Sequence, residues 1–497
     1  PAFDPVRVLA GNFAPVAELP PTVCREVEGA IPATLRGTYV RNGPNPQFIP
    51  QGPYHSFDGD GMLHAVTFDG GDGEDNGAVF CSRFVKTYKY ELERRLGFAV
   101  MPSVFSSFSG ACASLARLCQ LASLAIAGKL DFRGGIGAAN TSLFQFAGKL
   151  FALQEVNYPY RMEITSDGDV ITVGPYNFSG GNRPMTTMTA HPKIDVNTGE
   201  AFAFRYRLLP PFLVYSRINP EGTEQVDIPI WSLRDPSFIH DFAVTKNYAV
   251  FPDPQFKYRP AELMRGGAIL NADHGKPPRL GILPKYAADE KEMRWIDAPG
   301  LNIIHIANAW EEDGGDTIVM VASNVYGTEN AIKQIDHSSR LSFELVEIKP
   351  KENIVRRRPL TSTSAELPVI NPAYLGKKSR YVYVGTGVDI PKMNGVAKLD
   401  LSLLNSDSSA SLDCTVARHH YPHGVYGGEP YFVARDPNNP SADEDDGYIL
   451  NYIHDEKAGE SKFIIMDARS PTLQVLAAIK LPQRVPYGVH GIFLPQN

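Results

Sequence analysis

Four histidines of this chain stand in settings that suit a metal ligand: His191 in "TAHPK", His240 in "SFIHDFAV", His305 in "NIIHIANAWEE" and His490 in "YGVHGIFLP". His191 runs into Pro-Lys-Ile-Asp and the Asn197-Thr198-Gly199 turn, which places it near a strand end, where side chains face a cavity or solvent. The other three follow an apolar residue inside strand-like segments. Any one of them alone reads as a core histidine. Together they point to a metal, because imidazole is the commonest side-chain ligand. Four neutral imidazoles leave a ferrous ion divalent, with positions open for O2. A zinc site would ordinarily enlist Cys or carboxylate as well.

Such a site needs acceptors for the ring N–H groups that face away from the metal. Glu155 ("FALQEVNYPY"), Glu366 ("TSAELPVINPAY") and Glu429 ("GVYGGEPYFVARD") have strand or turn settings that fit, and Glu429 lies in unusually apolar company. The Asp58-Gly59-Asp60-Gly61 run resembles a calcium loop but lacks the glycine and twelfth-position glutamate of an EF-hand, so it reads as a structural turn. His419, His420 and His423 in "RHHYPHGVYGGEP" read as solvated loop residues.

Histidines so far apart converge only where many strands point at one axis, as in a β-propeller. The chain has the matching punctuation: 43 Gly and 40 Pro spread over 497 residues, between short apolar runs such as 78–84, 149–153, 201–206, 317–323, 448–454 and 462–467. No WD or kelch signature and no linker is visible, so a single domain over 1–497 is expected. One stretch departs from the β pattern. "GACASLARLCQLASLAIAG" (110–128) reads as a helix, within an insert at about 101–130, with Leu115, Leu118, Leu121, Ala122 and Ile126 near helical spacing. It is too polar to span a membrane, and is either a core helix or an apolar face that dips into lipid.

The net charge of −7 excludes nucleic acid as the main partner, since no basic block offers a phosphate footprint. Five cysteines without tight spacing (Cys24, Cys81, Cys112, Cys119 and Cys414) imply neither a disulfide framework nor a thiolate zinc site, and fit a reducing compartment. The chain begins at Pro1 without a signal-like segment, so a leader is expected to have been removed or left out.

The stretches "YVRNGPNPQF", "HSFDGDGMLHAV", "GIGAANTSLFQF", "TAHPKID", "IHDFAVT", "NAWEE", "YGGEPYFV" and "VPYGVHG" resemble the carotenoid cleavage dioxygenases (carotenoid oxygenases) from end to end. Within that family "CSRFVKTYKY", "MTAHPKID", "GEAFAFRY" and "NIIHIANAWEED" look most like the plant plastid type called carotenoid cleavage dioxygenase 4. The resemblance implies an all-β fold, a seven-bladed β-propeller with a dome of loops and helices over one face. It implies Fe(2+) on the axis, held by His191, His240, His305 and His490, with Glu155 orienting His240, Glu366 orienting His305 and Glu429 orienting His490. His191 is left without a carboxylate.

The implied activity is cleavage of one conjugated double bond of a carotenoid or apocarotenoid by O2, giving two carbonyl products, at 9,10 (9′,10′) or 7,8 (7′,8′). A non-cleaving retinoid or carotenoid isomerase-hydrolase of the same fold is the alternative, and a non-catalytic carotenoid-binding protein another. The resemblance also implies a plastid (chloroplast or chromoplast) location at a membrane or plastoglobule surface, with the transit peptide absent from this chain. Neighbours of the ligand and glutamate positions (Phe57, Ile304, Leu367 and Val489) are expected to line the substrate tunnel, or else to be core. Val489 stands where the family more often has Phe.

Overall fold

The computed structural model describes residues 4–50, 52–69, 77–102, 105, 111–180, 184–207, 209–259, 261–262, 269–327, 340–387, 390–404 and 413–496. Its inner strands are buried on both faces. In Thr317–Tyr326, Ile318, Met320 and Ala322 pack with Val250 and Leu280, while Val319 and Val321 pack with Val382 and Val384. In Ala201–Tyr206, the two alanines face Phe144 and Phe151, and Phe202 and Phe204 face Phe251 and Leu283. A strand buried on both faces loses the apolar–polar alternation of a half-exposed one and reads as a continuous apolar run.

Carried around the chain, this two-sided packing produces seven antiparallel sheets of four to six strands, each stacked on its neighbours. The fold is a seven-bladed β-propeller. The ring is closed twice. The C-terminal strand Gly491–Pro495 pairs with Gly37–Pro44 of the first blade, and Val27–Gly29 near the N-terminus pairs with Val475–Lys480 of the last. All five cysteines are free, three of them buried.

Insertions between the strands build the cover over the histidine end. They include the helices Tyr88–Leu96 and Ala111–Ile126 and a two-stranded hairpin of Phe256–Tyr258 with Leu270–Ala272. The first helix begins at Thr87, whose Oγ1 accepts from the Tyr90 N–H, and ends at Gly97, whose φ of 82° suits glycine.

Of the expected insert, residues 103–104 and 106–110 lie outside the described residues. The helix itself divides the apolar positions read from sequence. Leu121 is 7% exposed and packs with Leu92, Val100, Met101 and Leu130, whereas Leu115, Leu118 and Ile126 are 58%, 49% and 88% exposed. No helix among the described residues is long and apolar enough to cross a membrane. The Asp58–Gly61 run is a turn: Asp60 pairs with Lys89 at 2.8 Å and accepts from the Gln47 N–H, and Gly59 adopts φ 124°. His419 and His420 end the strand Thr415–His420 instead of lying in a loop, and only His423 follows it.

Candidate metal centre

The chain returns to the axis once per blade, and four of these returns begin with a histidine. His191 precedes the strand Lys193–Ile194, His240 precedes Ala243–Val244, and His490 precedes Gly491–Pro495. His305 lies inside Ile303–Glu312, where pairing with the neighbouring strand is irregular between Ile303 and Ile306. A bulge of this kind re-aims one side chain without moving the blade. Glu366 has the same device, with the register shifting between Glu366 and Val369.

The four imidazoles converge. His240 Nε2 stands 3.1 Å from His191 Nε2 and 3.2 Å from His305 Nε2, and one nitrogen of each of the four lies within 4.8 Å of the others. Their far sides meet carboxylates. His240 Nδ1 is 2.5 Å from Glu155 Oε1, His305 Nδ1 is 2.8 Å from both oxygens of Glu366, and His490 Nδ1 is 2.9 Å from Glu429 Oε2. No carboxylate meets His191 among the described residues; its backbone N–H donates to Thr189 Oγ1.

These contacts decide the tautomers. A neutral imidazole donating from Nδ1 to a carboxylate has only a lone pair at Nε2. His240 and His305 therefore turn lone pairs toward each other, and His490 Nε2 has no hydrogen-bond partner among the described residues. Lone pairs at this spacing repel unless a cation lies between them. Metal–nitrogen bonds of about 2.1 Å would set right-angled ligand nitrogens about 3.0 Å apart, close to what is found. The donor set fits a divalent transition metal.

Burial, then the neighbouring imidazoles of His240, His490 and His305, hold His191 well below the ordinary histidine range. Burial also lowers His305, against the opposing pull of Glu366. At His490 burial acts downward too, but the Glu429 carboxylate reverses it and the net shift is upward. Burial pushes Glu155 and Glu366 up, yet His240 and His305 beside them leave both carboxyls below their usual value.

His240, His305 and His490 line a cavity that, together with the open space at its mouth, measures about 900 Å³. Of the four residues expected at a substrate tunnel, Phe57, Ile304 and Val489 are in its wall. Leu367 is not: it is 1% exposed and its N–H is turned back to the Glu366 carboxylate. Its neighbour Glu366 lies behind His305, so the side chain beside it packs in the blade. Phe105, Phe238, Phe256, Leu270 and Ile390 add apolar wall that the sequence does not mark, and His55, Asn140 and Thr141 add polar atoms. Phe105, Phe238 and Ile390 come from connections between strands, and Phe256 and Leu270 from a short inserted hairpin, where no periodicity marks a residue as inward-facing.

The fold and the four-histidine cluster define a β-propeller with a candidate metal site beside a mainly apolar cavity. A family model, retinal pigment epithelial membrane protein, matches residues 13–495, and the chain belongs to this family, that of the carotenoid oxygenases. It is 51% identical over 501 residues to the probable carotenoid cleavage dioxygenase 4, chloroplastic, of Arabidopsis thaliana, covering 100% of this chain and 82% of that one. It is 45% identical over 370 residues to the zeaxanthin 7,8(7′,8′)-cleavage dioxygenase, chromoplastic, of Crocus sativus, covering 74% and 98%. Among solved structures, the cobalt-substituted Synechocystis apocarotenoid oxygenase superposes over 100% of both chains with a TM-score of 0.76 at 26% identity.

Proposed function

We propose that this chain is a non-haem Fe(II) dioxygenase that splits one conjugated double bond of a carotenoid or apocarotenoid into two carbonyl products. His191, His240, His305 and His490 are its iron ligands, and Glu155, Glu366 and Glu429 hold three of them. One observation carries the reading: four imidazoles converge on one point, and three of them, His240, His305 and His490, line a mainly apolar cavity. Iron bound there supplies the electronic route by which triplet O2 reacts with a singlet alkene. The protein's part is position and dryness. A polyene offers almost nothing to hydrogen-bond, so Phe57, Phe238, Ile304 and Val489 locate it by shape, and the bond placed at the nitrogens is the bond cut. The 9,10 and 7,8 positions are the two choices.

Relatives named as carotenoid cleavage dioxygenases support this chemistry, and their chloroplastic and chromoplastic names support a plastid location. A substrate this insoluble comes from lipid. The exposed Leu115, Leu118 and Ile126 recur along one side of the helix Ala111–Ile126 and supply peripheral contact with a membrane or plastoglobule surface. Incubation with a carotenoid under ¹⁸O2, with mass analysis of both products, tests the function. Labelled carbonyls on both fragments are expected. Isomerised or hydrolysed but uncleaved substrate would overturn the reading.

A further inference from the structure

Arg41, on the strand Gly37–Pro44, is only 3% exposed. Its guanidinium lies 4.7 Å over the ring of Tyr452 and donates to the Pro486 carbonyl. Arg41 Nε has no hydrogen-bond partner among the described residues, and neither has Tyr39 Oη two residues back nor Nδ1 of His64, its cross-strand partner. No carboxylate forms an ion pair with Arg41 among the described residues. A buried charge without a direct counter-ion is costly unless nearby charge stabilises it through space.

The glycines packed on the guanidinium show where that charge is. A Cβ at Gly488 would lie 2.7 Å from Arg41 Nε, and one at Gly428 would lie 3.7 Å from its Nη1. Gly488 stands two residues before His490, and Gly428 immediately precedes Glu429. Arg41 is thus wedged between the two chain segments whose side chains meet at 2.9 Å as the His490–Glu429 pair. The next residue clamps one of them further: the Asn42 N–H donates to the His490 carbonyl at 2.9 Å and the Asn42 carbonyl accepts from Val489 at 3.0 Å.

Charge counting gives the guanidinium a role. Glu155, Glu366 and Glu429 bring three negative charges to the imidazoles, and a divalent ion brings two positive ones. Asp241 nearby is already paired with Lys193 at 2.7 Å. One positive charge is wanting. We infer that Arg41 is the fixed counter-charge of the metal centre, a positioning residue that neutralises the third carboxylate and braces the segment carrying His490. This rests on the iron reading above. His64 does not compete for the role, because burial and then Arg41 itself hold its imidazole well below the usual range.

The test is the ferric/ferrous midpoint potential and ferrous affinity of the iron-loaded full chain, compared among wild type, Arg41→Met, Arg41→Lys and Arg41→Met/Glu429→Gln. Removing a nearby positive charge stabilises the ferric state, so Arg41→Met should raise the ferric-to-ferrous ratio at fixed ambient potential at least tenfold, about 59 mV for one electron. Arg41→Lys should stay within threefold of wild type. The double variant, with both charges gone, should return toward wild type. Arg41→Gln, which keeps a donor for the Pro486 carbonyl, replaces Arg41→Met if that variant does not fold. A wild-type potential in the neutral variants, even with lower thermal stability, would overturn the inference and leave Arg41 a brace alone. So would equal shifts in Arg41→Lys and Arg41→Met. Wild type that takes up no ferrous ion would overturn the iron reading and this inference with it.

Discussion

Glu366 presents both carboxylate oxygens to His305 Nδ1 at 2.8 Å, and the same carboxylate accepts the N–H of Leu367. Leu367 adopts a φ of 54° beside it, a left-handed conformation that a leucine takes only when the surroundings impose it. The strand is therefore bent around a single anion, and that anion sets the tautomer and direction of His305.

A glutamine at this position cannot do the same. Its amide carries no net charge and has an NH2 donor in place of one carboxylate oxygen, so Glu366→Gln is a weaker acceptor for the imidazole and the Leu367 N–H. Losses of about 10–100-fold in metal affinity or activity are usual for such partners. Iron content after dialysis against a chelator should fall within that range for Glu366→Gln. Glu155→Gln and Glu429→Gln, each meeting its histidine through one oxygen, should fall less. Full iron retention in all three would remove the carboxylates from the site.

The helix Ala111–Ile126 lets the proposed lipid contact be tested apart from packing, because Leu118 and Ile126 are exposed and Leu121 is buried. Leu118→Glu with Ile126→Glu alters two exposed side chains and should release the protein from plastid-lipid liposomes without changing its melting temperature or iron content. Leu121→Ala acts on a buried one, and core truncations of this kind cost about 2–5 kcal/mol. It should loosen the helix, seen as faster hydrogen exchange there. Unchanged liposome binding in the double glutamate variant would count against the lipid face.

Acid should weaken one tie between the first two blades. Arg83 Nε and Nη2 donate to Asp169 at 2.8 and 3.0 Å, and this holds the carboxyl at about 2, against an ordinary 3.8. Because the folded value is depressed, the stability is complete above pH 3.8 and is lost as pH falls toward 2. Asp169 is partly open to solvent, so screening limits the effect to about 0.5–1 kcal/mol. Asp169→Asn should lower the denaturation midpoint slightly at pH 7, and the gap to wild type should shrink by pH 3. A gap that is constant with pH would mean the asparagine acts by packing.

Much of the centre was legible because its parts are unusual in their settings. Three histidines in apolar strand contexts, a fourth at a strand end, and a glutamate between Gly-Gly and Pro-Tyr-Phe are residue types that a core does not need. The blades were legible as apolar runs, and strands such as Ala78–Phe84 and Lys149–Leu153 fall where the runs lie. What could not be read was direction. Leu121 and Leu118 share a helix and a residue type, yet only neighbours distant in sequence decide that one is buried. Leu367 failed for the same reason: adjacency to a functional glutamate says nothing about which way a bulged strand turns the next side chain. Arg41 lies within a motif whose resemblance was noted, but its burial against Gly488 and Gly428 depends on ring closure by the C-terminal strand.

The proposed position of cleavage can be tested at Val489, beside His490 in the cavity wall. Val489 lines the cavity next to His490, and its N–H is held by the Asn42 carbonyl at 3.0 Å, so the backbone that aims the side chain is fixed. A phenylalanine there would extend toward the nitrogens, and the polyene would have to slide to accommodate it. A slide of one double bond presents the neighbouring bond for cleavage. Apolar differences of this size discriminate by about 1–3 kcal/mol, so the outcome is a changed ratio and not a complete switch. Val489→Phe should alter the proportion of 9,10 to 7,8 products, or the preferred substrate, with iron content unchanged. Chromatography of the aldehydes reads the ratio directly. Identical products in identical ratio would free Val489 of this role and move attention to Phe105, Phe256 and Leu270, the wall that the insertions supply.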